Sequence, residues 1–344
     1  ALHRPCRGAV PALRPRQNPR VRSRAVGDDE QADGLPLEVV GVWTLYALVA
    51  CAIVVTYSRI PARELYHVSQ NGIAGGVGRA LVFANFSTAL VALAVLAVVF
   101  DRLPGRVARS FAVGAAALCA AVFWPGVVSQ ADLDPKPVNG VAAAGVVLAA
   151  ALTILLARTQ GRSRRPWRRS DVLRVALAAP LVFLAAPWIA AELGFFLDGV
   201  PVLGRIFQTG THVRNAAGLP AFPPAVHHGH HHGMDGLLLV LSALLLSRVV
   251  FEIASTALRV AAVAYLALMF CYGIGNIAND FWLEQVVKRG WTTWEIPNVL
   301  EPRLTAAWAI IVAAAATLWA VAMVRERGSV ARPASGLGAA AQRE

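Results

Sequence analysis

Residues 226–235 read Val-His-His-Gly-His-His-His-Gly-Met-Asp, so five of the eight histidines fall within six positions. Neutral imidazole is a borderline ligand that suits Zn, Ni, Co and Cu. On a helix, His227 with His231 and His228 with His232 would each share a face at i, i+4, and either pair could take two positions of a tetrahedral divalent-metal site. Asp235, Glu192 or His212 would supply a third ligand, and His230 completes the stretch. Gly229 and Gly233 favour a flexible loop over a fixed helix, and flexible polyhistidine suits capture of a metal better than catalysis. One or two of these imidazoles could instead do acid–base work or ligate a haem, and the bland alternative is a solvated low-complexity loop.

Other chemistry is sparse. No His-Glu-x-x-His, Gly-x-Ser-x-Gly or Walker signature occurs, and Gly75-Gly76-x-Gly78 has neither a preceding strand nor a following Lys-Ser/Thr to make a phosphate loop. Cys6, Cys51, Cys119 and Cys271 are scattered and form neither a disulfide framework nor a Cys-x-x-Cys knuckle.

The elements that must position the histidines are apolar. The chain is 57% hydrophobic and 15% charged, with a mean hydropathy of +0.55, which excludes an ordinary soluble domain. The expected fold is all-α, a polytopic transmembrane helix bundle of about eight spans, each needing roughly 20 apolar residues. The runs are 37–57, 79–100, 107–128, 138–157, 172–197, 236–255, 256–279 and 305–324. The sixth and seventh are continuous in hydropathy, and one helix over both would be about twice the hydrocarbon thickness, so a turn belongs beside the polar stripe Arg248, Glu252, Ser255 and Arg259. Arg248 and Glu252 are expected to form an i, i+4 contact there. Pro180 and Pro187 should kink the fifth run. No internal repeat is visible, which weighs against an inverted-repeat transporter.

Orientation follows from the basic residues. With both termini cytoplasmic, the inner segments hold 23 Lys and Arg and the outer segments 9, the bias expected of a multi-pass protein in the cell membrane, most simply the plasma membrane of a bacterium. Residues 1–36 read as a disordered Arg-rich tail, 37–324 as the transmembrane domain and 325–344 as a cytoplasmic tail; a cleaved organelle signal is the lesser reading of the start. The net charge of +12 is gathered beside apolar runs, so the expected partner is the lipid bilayer, with anionic lipid at the cytoplasmic Arg clusters, and not nucleic acid. The outer loops include 57–78, then 198–234, which carries the histidines, and 280–304, where Trp282, Trp291 and Trp294 suit the headgroup layer and 282–289 could form a short interfacial helix.

Ionisable and amide side chains inside a bilayer are costly and mark interior sites. Asn85, Glu192, Asp235, Asn276, Asn279 and Asp280 all fall in the outer half, although Asn279 and Asp280 could simply end a helix. Three functions fit: handling of a divalent metal captured by the histidines; an outer-leaflet enzyme acting on a lipid; or a non-enzymatic subunit that binds another membrane protein through small-residue faces such as 114–117 and 142–145.

Overall fold

The computed structural model describes residues 34–60, 69–125, 127, 134–193, 200–202 and 232–330. The architecture is all-α. Helix α1 is Leu37–Arg59; α2 begins as Gly72–Phe83, passes through a π-helical turn at Ala84–Thr88 and continues as Ala89–Val99; α3 is Gly105–Cys119 and α4 is Pro137–Gln160. Helices α5 (Arg169–Leu184) and α6 (Ala186–Glu192) follow, then α7 (His232–Leu246), α8 (Thr256–Trp282, extended by a π turn at Leu283–Val287) and α9 (Ala306–Val330). Among the described residues, six helical stretches are long and apolar enough to cross a membrane: Leu37–Arg59, Gly72–Arg102, Gly105–Phe123, Pro137–Gln160, Thr256–Val287 and Ala306–Gly328.

Two of the eight expected runs differ from that pattern. The fifth is broken at Ala185, between α5, which contains Pro180, and α6, which has Pro187 as its second residue. The missing proline N–H and the clash with the preceding turn account for the break. The sixth, α7, has only 15 residues. Leu237, Leu238, Leu239 and Val240 are all buried, so the first half of this short helix is enclosed on every side, while Leu241, Leu244 and Leu245 are partly exposed. The expected turn after it falls at the polar stripe: α7 ends at Leu246, a 3-10 turn covers Val250–Glu252, and Ser255 caps α8 through a bond accepted from the Leu258 N–H.

Helices α7 and α8 meet at two glycines. A Cβ on Gly236 would lie 2.6 Å from the Gly273 carbonyl oxygen, and one on Gly273 would lie 2.6 Å from that of Gly236. Only glycine permits this backbone approach.

The end of the bundle formed by the start of α1, the end of α2, the loop before α5 and the α7–α8 turn is here called the arginine end. Arg248 pairs with Glu38 at 2.6 Å and with Asp171 at 3.0 Å. Glu252 pairs with Arg102 at 2.7 Å and Arg165 at 2.6 Å. The expected Arg248–Glu252 contact is therefore replaced, because the chain has left the helix between them and each turns to other elements. The guanidinium of Arg165, donating to Glu252, has its pKa raised above the ordinary value. Asp101 accepts from the N–H groups of Ala254 and Ser255, and Arg259 reaches Glu326 on α9 at 2.9 Å. A two-residue parallel pairing, Leu35–Pro36 with Arg162–Ser163, completes this end and orders the last residues of the expected N-terminal tail.

Candidate functional site at the histidine end

The opposite end begins α7 with His232. Its Nε2 lies 2.9 Å from Oδ1 of Asn279 and 2.8 Å from Oδ1 of Asp280. Both are acceptors, since the Asn279 amide nitrogen donates to the Ile296 carbonyl at 2.6 Å, so Nε2 carries a proton. Asp280 also accepts from the Gly233 N–H through Oδ2 at 2.7 Å. Its carboxylate thus sits at the N-terminus of α7, where the exposed N–H groups and helix dipole favour an anion.

Two sequence readings change here. Gly233 does not loosen a loop: it lies within α7, and a Cβ there would come within 2.5 Å of Asp280 Oδ2 and 2.8 Å of the Trp188 ring. Asn279 and Asp280 do not end α8, which runs through them to Trp282 and on through its π turn, so the expected separate helix at 282–289 is part of that extension.

Below this pair the polar groups continue along a column. Asp235, in the first turn of α7, is buried and lies in the neighbourhood of His232, Tyr46 and Tyr272. Ser242 follows seven residues later on the same face of α7. The hydroxyls of Ser242 and of Ser87, in the π turn of α2, are polar neighbours of the Tyr46 hydroxyl. Asn85 begins the second residue of that π turn, a distortion that recurs at functional sites because it re-aims side chains. Five buried oxygens, Tyr46 Oη, Asn85 Oδ1, Ser87 Oγ, Ser242 Oγ and Asn276 Oδ1, have no partner with hydrogen-bond geometry among the described residues. Orphan polar atoms in an interior are costly and call for a functional account.

Beside the column lies a pocket of about 480 Å³ between the π turn of α2, the end of α3, α8 and the segment leading into α9. Tyr265, Leu268, Met269 and Tyr272 line it from one face of α8; Phe86 and Trp308 face them, and Glu301 is the acidic residue at its rim. Tyr272 packs edge-on to Phe86 at 6.3 Å and against Trp308 at 5.4 Å. Phe123 and Trp124 at the mouth are 60% and 70% exposed, so among the described residues nothing closes the pocket on that side of the bundle.

A strap closes the top. The Trp282 indole donates to the Trp294 carbonyl, Asn279 to that of Ile296, Tyr272 to that of Leu300 and the Trp308 indole to that of Glu301. Tyr272 therefore joins strap and pocket, and Asn279, seven residues further along α8, joins strap and column.

Of the residues singled out by sequence, His232, Asp235, Asn276, Asn279, Asp280 and Asn85 gather around this column. His212, His227, His228, His230 and His231 lie outside the described residues, as does the side chain of Glu192 at the end of α6. Among the described residues, no three His, Cys, Asp or Glu side chains are grouped to hold a metal ion. Tyr46, Ser87, Ser242 and Tyr272 were not anticipated. The i, i+7 spacings of Asp235 with Ser242 and of Tyr272 with Asn279 carried the signal, but hydroxyls in an apolar run are ordinarily read as bonded to their own helix.

Comparison with known proteins returned no match: no protein-family model, no curated protein and no solved structure corresponds to this chain.

Proposed function

We propose that this is an integral membrane protein that takes a lipid-like amphiphile from the bilayer into the aromatic pocket and meets its polar group with the His232–Asp280 pair and the column beneath it. The observation that carries the reading is the adjacency of the two features across Tyr272: an apolar, laterally open pocket on one side and buried acceptors on the other. Ligand sites combine a mainly apolar lining with a few convergent polar groups in this way. The metal-handling alternative gains nothing from the described residues, where the Nε2 of His232 is occupied by Asp280 and Asn279.

The topology that goes with this reading has eight crossings, with the arginine end cytoplasmic and the histidine end outside, in a plasma membrane such as that of a bacterium. The 23 to 9 bias in basic residues supports it. Helix α7, at about 22 Å, is shorter than the roughly 30 Å core, yet its first half is enclosed by its neighbours and only Leu241, Leu244 and Leu245 are partly exposed, so it need not match that thickness. Cysteine labelling tests it: with Cys6 and Cys51 replaced by Ser, Thr293→Cys should react with an impermeant maleimide in intact cells and Arg164→Cys only after permeabilisation. The reverse pattern overturns the orientation.

Native mass spectrometry of the detergent-purified protein tests the pocket. Wild type should retain a discrete lipid-mass ligand, and Leu268→Trp and Val122→Phe should each lose it while keeping the wild-type elution profile. Retention of the same ligand by both variants would refute the proposal.

A further inference from the structure

At the arginine end, on the side away from that pocket, a groove of about 380 Å³ runs between α1, α5 and α7. Gly41 and Leu45 of α1, Ala178 of α5 and Leu241 and Leu245 of α7 make its apolar wall, and Trp167, 67% exposed, stands at its mouth. Arg174 and Arg248 also reach the mouth, but Asp171 and Glu38 already neutralise them, with further bonds to Ser247 and the Pro166 carbonyl. The basic residues around Trp167 are different. Arg164, Arg168 and Arg169 are exposed, and none has a carboxylate within ion-pair distance among the described residues.

The local chemistry thus divides sharply. Each carboxylate of the network has a guanidinium, and the surplus positive charge is carried by Arg164, Arg168 and Arg169, which flank the lining residue Trp167 in the chain. A slot sized for a hydrocarbon chain, an indole suited to the headgroup layer and unneutralised guanidiniums on the segment that carries it match an amphiphile with an apolar tail and a phosphate head. We propose that this groove is a specific binding site for one anionic phospholipid, an acyl chain lying between α5 and α7 and the phosphate held by Arg168 and Arg169. It is independent of the reading given for the histidine end.

Delipidated protein in detergent, titrated with phosphatidylglycerol or phosphatidylcholine of identical tails and read by native mass spectrometry, tests it. One phosphatidylglycerol should be retained in preference to phosphatidylcholine. Arg168→Gln combined with Arg169→Gln should weaken that retention roughly tenfold, as expected for removing two lipid-facing charges. Ala178→Trp, which fills the groove, should abolish it, whereas Leu268→Trp in the other pocket should leave it intact. Equal retention of the two lipids, unchanged retention by the double glutamine variant, or unchanged retention by Ala178→Trp would each overturn the site. Displacement of the lipid by inorganic phosphate at equal concentration would overturn it too, since the head alone would then suffice. Size-exclusion profiles matching wild type establish that the variants are folded.

Discussion

The two ends of the bundle solve one problem with opposite chemistry. At each, an aspartate from a neighbouring helix receives the first N–H groups of an incoming one: Asp101 those of Ala254 and Ser255 before α8, Asp280 that of Gly233 in α7. At the arginine end the surrounding carboxylates meet guanidiniums, and Glu38, Asp171 and Glu252 bind four arginines, Arg102, Arg165, Arg174 and Arg248, into one network. At the histidine end the partner is an imidazole with amides and hydroxyls around it, and several of their oxygens have no hydrogen-bond partner among the described residues. Paired formal charges fix the helix ends. Neutral groups with unused bonding capacity cost stability, and that cost is the ground for proposing a bound polar group there.

That contrast can be broken in stages. Gly236→Val should have the largest effect, because its side chain would enter the space taken by the Gly273 carbonyl and force α7 from α8; loss of the monodisperse elution peak measures it. Asp280→Ala strips the Gly233 N–H and His232 of their buried acceptor and should cost about 3 kcal/mol, at roughly 1–3 kcal/mol per orphaned group, together with loss of the retained lipid. Glu252→Ala releases Arg102 and Arg165 and should cost about 2 kcal/mol, reduced from the fully buried case because the carboxylate is 26% exposed. Lipid retention should survive this change. The two variants thus destabilise comparably in a thermal melt and part company in ligand occupancy. Arg303→Ala, on a pair 71% and 42% exposed, should shift the melt by less than about 0.5 kcal/mol.

Much of the scaffold was legible in the chain. Unbroken apolar runs announce α1 to α4, α8 and α9, and the stripe Arg248, Glu252, Ser255, Arg259 announces the α7–α8 turn, because a charged cluster cannot sit in hydrocarbon. The partners of those charges were not legible, since Glu38 and Arg248 are 210 positions apart. The histidine stretch misled in part. Its composition suggests a loose metal trap, whereas His232 is locked by Asn279 and Asp280, and Gly233 is needed for close approach. Nor could spacing alone reveal the π turn at Ala84–Thr88, which brings Asn85 and Ser87 inward and Phe86 to the pocket.

The most direct test of a lipid-handling histidine end is photo-crosslinking in intact membranes. A photoreactive residue is placed at Phe123, at the pocket mouth, and in a second variant at Val172, on the exposed face of α5. Phe123 should capture one discrete lipid-mass adduct that disappears with Leu268→Trp, and Val172 the broad mixture of the surrounding bilayer. Identical adduct distributions at the two positions would contradict the account.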